Sequence, residues 1–79
     1  MWYVYILKCA DNTLYTGVTN DISRRLSCHN AKKASKYTRA RTPVTLIYKE
    51  PHRTKSRALK REAEIKRWPR QQKLRLTKA

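Results

Sequence analysis

Seventy-nine residues suffice for one small domain, and they are too few for two independently stable cores. The chain carries 20 Lys and Arg against 5 Asp and Glu, a formal net charge of +15, and self-repulsion of that size is relieved by a polyanion that releases its counterions on binding. The bases lie on every segment, unlike an interfacial membrane helix; no apolar run is long enough to span a bilayer, no basic region precedes the N-terminal apolar stretch, and the two cysteines lack metal-ligand spacing. A single cytoplasmic domain over residues 1–79 with reduced thiols is expected, and nucleic acid is its expected partner.

Residues 2–9 and 13–18 are rich in β-branched and aromatic side chains, with Ala10, Asp11 and Asn12 between them, and read as a β-hairpin. A three-residue loop with Asn12 in the left-handed region sets Cys9 opposite Thr13 and Leu7 opposite Tyr15, which puts Tyr5 and Tyr15 on one sheet face. A two-residue loop would put them on opposite faces. Asn12 is the reason to expect the longer loop.

Asn20 or Asp21 is a good N-cap for a helix over 22–30, a stretch without a breaker. At about 100° per residue, Ile22, Arg25, Leu26 and His29 form one inward stripe, with Arg24 and Cys28 on the far side. An inward cation requires a carboxylate partner, an anion at the edge of a site, or an apolar path to water. Residues 31–42 mix small side chains with Lys32, Lys33, Lys36, Arg39 and Arg41 around Tyr37, and read as a basic loop with one helical turn. Lys36, Arg39 and Arg41 are candidate nucleic-acid contacts, and Tyr37 is either a base-stacking platform or a packed loop anchor. A third strand is expected over 44–49, opened by Pro43 and closed by Pro51, with Val44, Leu46 and Tyr48 on one face. The strand order stays open between a meander and an inserted central strand.

A second helix begins at Thr54 or Ser56 and runs to about Trp68, before Pro69. Leu59, Glu62, Ala63 and Ile65 are expected on its inward stripe, with Glu64 opposite among Lys60, Arg61 and Arg67. An inward carboxylate requires a cation, a metal ion or several donors, so Arg25 and a divalent metal are both candidate partners for Glu62. Arg61 and Lys66 join the candidate nucleic-acid contacts. A last short helix over 70–78, with Leu74 and Leu76 among bases, either folds over the sheet edge or frays.

Two same-face tyrosines, an inward Arg and His one turn apart, and one inward Glu make a polar set on elements that otherwise carry the core. The triplets Tyr3-Val4-Tyr5 and Tyr15-Thr16-Gly17, then Arg24-Arg25-Leu26 with His29 and the Glu of a later helix, resemble the GIY-YIG nuclease superfamily over nearly the whole chain. Within it the chain looks most like the small single-domain bacterial members of uncharacterised role. The resemblance implies an α/β (α+β) fold, a three-stranded antiparallel sheet flanked by helices, and hydrolysis of DNA phosphodiester bonds with one divalent metal, Mg²⁺ or Mn²⁺. It also implies that Tyr5 or Tyr15 is the general base toward water, that Arg25 stabilises charge on the scissile phosphate with His29 beside it, and that Glu62 holds the metal. The chain departs from the pattern at Tyr3, where the motif has glycine, at Val18, where several nucleases carry lysine, and at Leu74, near the place of an asparagine found in some members. Branched, damaged or single-stranded DNA is the expected substrate, more so than RNA, since no separate sequence-reading domain is present. A non-catalytic DNA- or RNA-binding module on the same scaffold is the second reading, and a basic subunit docking on an acidic protein or ribonucleoprotein is the third.

Overall fold

The computed structural model describes residues 1–77. Strands β1 (Trp2–Lys8) and β2 (Leu14–Thr19) are followed by helix α1 (Ile22–Asn30), the single turn α2 (Lys36–Arg39), strand β3 (Thr45–His52), and helices α3 (Lys55–Lys66) and α4 (Arg70–Leu76). The sheet is antiparallel throughout in the order β2-β1-β3, so β1 is the inserted central strand. This is the three-stranded antiparallel, helix-flanked α/β fold expected from the sequence.

The hairpin loop forms for local reasons. Asn12 has φ 68°, its N–H donates to the Cys9 carbonyl at 2.9 Å, and the Cys9 N–H donates to the Thr13 carbonyl at 2.9 Å. Asp11 Oδ1 accepts from the Thr13 N–H at 3.1 Å and from its hydroxyl at 2.6 Å, an Asx turn that holds the loop at three residues. Leu7 therefore pairs with Tyr15 and Tyr5 with Gly17, and the two tyrosines share a face.

Burial of β1 on both sides explains its unbroken apolar run. Val4 and Ile6 pack with Ala58 and Ile65 on the α3 side, while Tyr5, Leu7, Cys9 and Val44 pack with Ile22 and Leu26 on the α1 side. Trp68 and Leu76 close the α3-side cluster, so α4 folds back onto the sheet; Lys78, at the end of the expected last helix, lies outside the described residues.

Two expectations about β3 are corrected. Pro51 lies inside the strand, opposite Tyr3, instead of closing it. An edge strand tolerates a residue without an amide proton because half its amides face away from the sheet. The register also shifts between Ile6 and Leu7, which pair with Tyr48 and Leu46 and leave Ile47 as the extra residue. This bulge sends Val44 and Leu46 to the α1 side and Tyr48 to the α3 side, splitting the single face expected for the three.

The inward stripe of α3 is rotated as well. Thr54 is its N-cap, its hydroxyl accepting from the Arg57 N–H at 3.2 Å. Ala58 and Ile65 are fully buried, whereas Leu59 is 45% exposed and Ala63 is exposed. The helix turns the small Ala58 to the sheet, which permits close approach, and leaves Arg61 and Glu62 half-buried on the flanks of the contact. On the Arg61 flank, Glu50 accepts from the Tyr48 hydroxyl at 2.6 Å and from Arg61 Nε–H at 3.0 Å, with His52 Nε2 2.7 Å away. Burial pushes the Glu50 carboxyl up, but these donors together hold it below its ordinary range. The cluster ties α3 to β3.

Candidate active site

Tyr5 and Gly17 face each other across β1 and β2, and the Tyr5 ring lies over the glycine. A Cβ at Gly17 would stand 2.5 Å from Tyr5 Oη and 2.6 Å from Cζ. The glycine is thus required for close approach and not for a positive φ. The uncovered backbone lets the Tyr5 hydroxyl reach across β2, the edge strand, toward α1.

α1 is started by Asp21, whose Oδ1 accepts from the Arg24 N–H at 3.1 Å. Its Ile22 and Leu26 pack on the sheet, and one turn later His29 is 1% exposed. His29 Nε2 lies 3.0 Å from Tyr5 Oη and Nδ1 lies 2.8 Å from Thr38 Oγ1. Burial and the Arg25 charge hold the imidazole below its ordinary pKa, so it is neutral at pH 7. Burial and the neighbouring Tyr15 push the Tyr5 phenol well above its ordinary range. Tyr15 sits edge-on to His29 at 5.1 Å between centroids and 5.8 Å from Tyr37.

These groups meet a groove of about 290 Å³ lined by Tyr5, Tyr15, Gly17, Arg25, Lys55 and Glu62. Arg25 belongs to a helix on one face of the sheet and Glu62 to a helix on the other, and they converge because β2 has a free edge. Arg25 is exposed at the margin of its stripe and takes part in no salt bridge among the described residues. The Glu62 side chain is 19% exposed, and its ion pair is with Lys66 at 3.4 Å, not with Arg25.

A family model of the GIY-YIG catalytic domain matches residues 1–75. The chain belongs to the GIY-YIG nuclease superfamily. It is 54% identical over 74 residues to a UPF0213 protein of Staphylococcus haemolyticus, covering 94% of this chain and 90% of that one. It is equally similar, 54% over 76 residues, to a UPF0213 protein of Staphylococcus aureus strain N315, covering 96% and 93%. The solution NMR structure of a UPF0213 protein of Bacillus halodurans shares 42% identity at a TM-score of 0.60, covering 96% of this chain and 82% of that one. That of protein EF2693 of E. faecalis shares 42% at 0.61, covering 90% and 76%.

In this GIY-YIG chain Tyr5, Tyr15, Arg25 and Glu62 line one groove beside β2, and His29 lies buried behind Tyr5. The candidate nucleic-acid contacts divide. Lys36 and Arg39 are exposed and line a second groove with Lys32 and Lys33. Arg41 is engaged inside the fold: its Nε donates to Asp11 at 3.0 Å, its Nη1 to the Tyr37 carbonyl at 2.7 Å, and its guanidinium lies 4.2 Å over the Tyr37 ring. That sandwich favours the loop-anchor reading of Tyr37. Arg61 binds Glu50 and Glu64 and covers the Trp68 ring at 5.0 Å, and Lys66 pairs with Glu62. Thr38, 0% exposed and bonded to His29, was not singled out from the sequence. Its one signal is the Ser35-x-x-Thr38 spacing of a capped turn.

Proposed function

We propose that this GIY-YIG protein is an endonuclease that hydrolyses DNA phosphodiester bonds, on branched, damaged or single-stranded forms, with one divalent metal, Mg²⁺ or Mn²⁺. The observation that carries the reading is the convergence of Tyr5, Tyr15, Arg25 and Glu62, from four separate elements, on one groove. A lone carboxylate on an open groove fits Mg²⁺, which accepts one protein oxygen and fills its remaining positions with water and phosphate. No group of three or more His, Cys, Asp or Glu that could hold a metal exists among the described residues, and Glu62, the carboxylate in the groove lining, would hold the ion. The ion would supply Lewis-acid polarisation of the phosphate.

The chain's own residues do the rest. Arg25, in no salt bridge among the described residues and at the groove margin, clamps the phosphate and stabilises its developing charge. Tyr5 cannot act as a preformed phenolate, because burial opposes its ionisation. With neutral His29 at 3.0 Å it can pass its own proton to Nε2 as it takes one from the attacking water, so neither group need be ionised beforehand. Tyr15 forms the groove wall beside them and offers a second hydroxyl to the phosphate. Lys36 and Arg39, together on one exposed turn, bind the DNA backbone beside the cut.

Glu62→Gln tests the reading. The Lys66 pair is an i,i+4 contact with a half-exposed lysine, worth about 0.3–0.5 kcal/mol, so the variant should fold and bind DNA while metal-dependent cleavage of branched and single-stranded DNA falls by orders of magnitude. A folded variant that cuts at the parental rate sinks the metal assignment. The binding-module reading is favoured at one place: Val18 is packed against the α3-side cluster where several nucleases carry lysine. Wild-type protein that binds DNA but cuts none of these substrates with Mg²⁺ or Mn²⁺ would establish it.

A further inference from the structure

We propose that Thr38 is the positioning residue that decides which nitrogen of His29 carries the proton, and hence the direction in which the Tyr5–His29 pair can move one. His29 is buried and neutral, with one hydroxyl at each ring nitrogen: Tyr5 Oη 3.0 Å from Nε2 and Thr38 Oγ1 2.8 Å from Nδ1. A neutral imidazole has one donor and one acceptor, so the two hydroxyls must play opposite roles. The choice is made at Thr38. Its hydroxyl also lies 3.4 Å from the Ser35 carbonyl, inside a turn that the Ser35 side chain caps by accepting from the Tyr37 N–H at 3.1 Å. Only the Nδ1–H tautomer lets Thr38 use both contacts, because a hydroxyl proton given to Nδ1 is lost to that carbonyl. With its proton spent there, Thr38 Oγ1 accepts from Nδ1–H, and Nε2 keeps its lone pair toward the Tyr5 hydroxyl.

The opposite tautomer would reverse every bond in the chain: Thr38 would donate to Nδ1, and Nε2–H would donate to Tyr5 Oη. Tyr5 could then give no proton to His29 and could not take one from water. In the proposed arrangement the proton lost by water goes to Tyr5 Oη, the phenol proton goes to Nε2, and the resulting imidazolium still donates from Nδ1 to Thr38. Thr38 sits in α2, flanked by exposed Lys36 and Arg39, so the turn that carries the DNA-binding cations also orients the relay. The catalytic consequence rests on the nuclease reading, but the tautomer itself does not.

Long-range ¹H–¹⁵N correlation of the imidazoles tests this in ¹⁵N-labelled wild type, Thr38→Val, Thr38→Ala and Thr38→Ser, alongside the pH profile of DNA cleavage. The wild type should show His29 protonated on Nδ1. Thr38→Val and Thr38→Ala should shift the tautomer ratio toward Nε2–H by about tenfold, the equivalent of one lost hydrogen bond, and should lower kcat more than they change KM. Thr38→Ser should restore both. A wild type protonated on Nε2 overturns the proposal even if no variant folds, as does a folded Thr38→Val or Thr38→Ala with the parental ratio. A wild type with the Nδ1–H tautomer that cuts no DNA would remove the nuclease reading and leave the role of Thr38 standing.

Discussion

Gly17→Ala probes the packing that aims Tyr5. The new Cβ would lie 2.5 Å from Tyr5 Oη and 2.6 Å from Cζ. Ordinary non-bonded carbon contacts are near 3.5–4.0 Å, so the ring must retreat by about 1 Å. Tyr5 is 3% exposed and shares its cluster with Leu7, Cys9 and Val44, so the retreat compresses a filled core. Overpacking of this kind costs about 1–3 kcal/mol, and a 3.0 Å bond from Tyr5 to His29 stretched by that distance is lost, adding about 1 kcal/mol. In a domain of this size each kcal/mol moves Tm by roughly 4–8 °C, so a fall on the order of 10–20 °C is expected by circular dichroism. The cause is isolated by repeating the substitution on Tyr5→Leu, where the clash with the ring is gone and the 3.1 Å contact with Tyr15 Cε2 remains, so that the cost of Gly17→Ala should drop by about 1 kcal/mol or more. Equal costs in the two backgrounds, or a Tm within about 2 °C of wild type for Gly17→Ala alone, would refute the reasoning.

Binding to DNA should weaken by about 0.9 log units per log unit of salt for each duplex phosphate neutralised. Lys36→Ala and Arg39→Ala should reduce that slope for all sequences alike with Tm unchanged, and a loss confined to one sequence in filter binding would contradict the backbone role. Arg41→Ala should instead lower stability by roughly 1 kcal/mol in thermal melts, because its guanidinium joins Asp11, the Tyr37 carbonyl and the Tyr37 ring; an unchanged Tm would show that these contacts hold nothing. For pH, His29 is depressed in the folded state by burial and Arg25. The unfolded chain therefore binds the proton first, and this contribution is complete above the unfolded value of about 6.5 and lost as pH falls through the lower folded one. Melting curves from pH 8 to 5 should show that decline in wild type and a smaller one in His29→Gln, and parallel curves would count against the buried neutral imidazole.

Local physics made much of this molecule legible in its sequence. Asn12 accepts a positive φ at little cost, Asp21 and Thr54 satisfy the open amides of α1 and α3, and alternation along a three-residue hairpin puts Tyr5 and Tyr15 on one face whatever the rest of the chain does. The order and spacing of the two triplets, Arg25 and Glu62 carried the family on their own. Long-range packing decided the remainder. The bulge at Ile47 depends on how β3 meets β1, and the rotation of α3 depends on Ala58 fitting the sheet more closely than Leu59. Whether Glu62 would meet Arg25 was open in the sequence, because helical periodicity gives a direction from each axis and no distance between two axes. Thr38 was invisible for the same reason: its partner lies nine residues away on another element, and only the docking of α2 against α1 brings a hydroxyl to the buried nitrogen of His29.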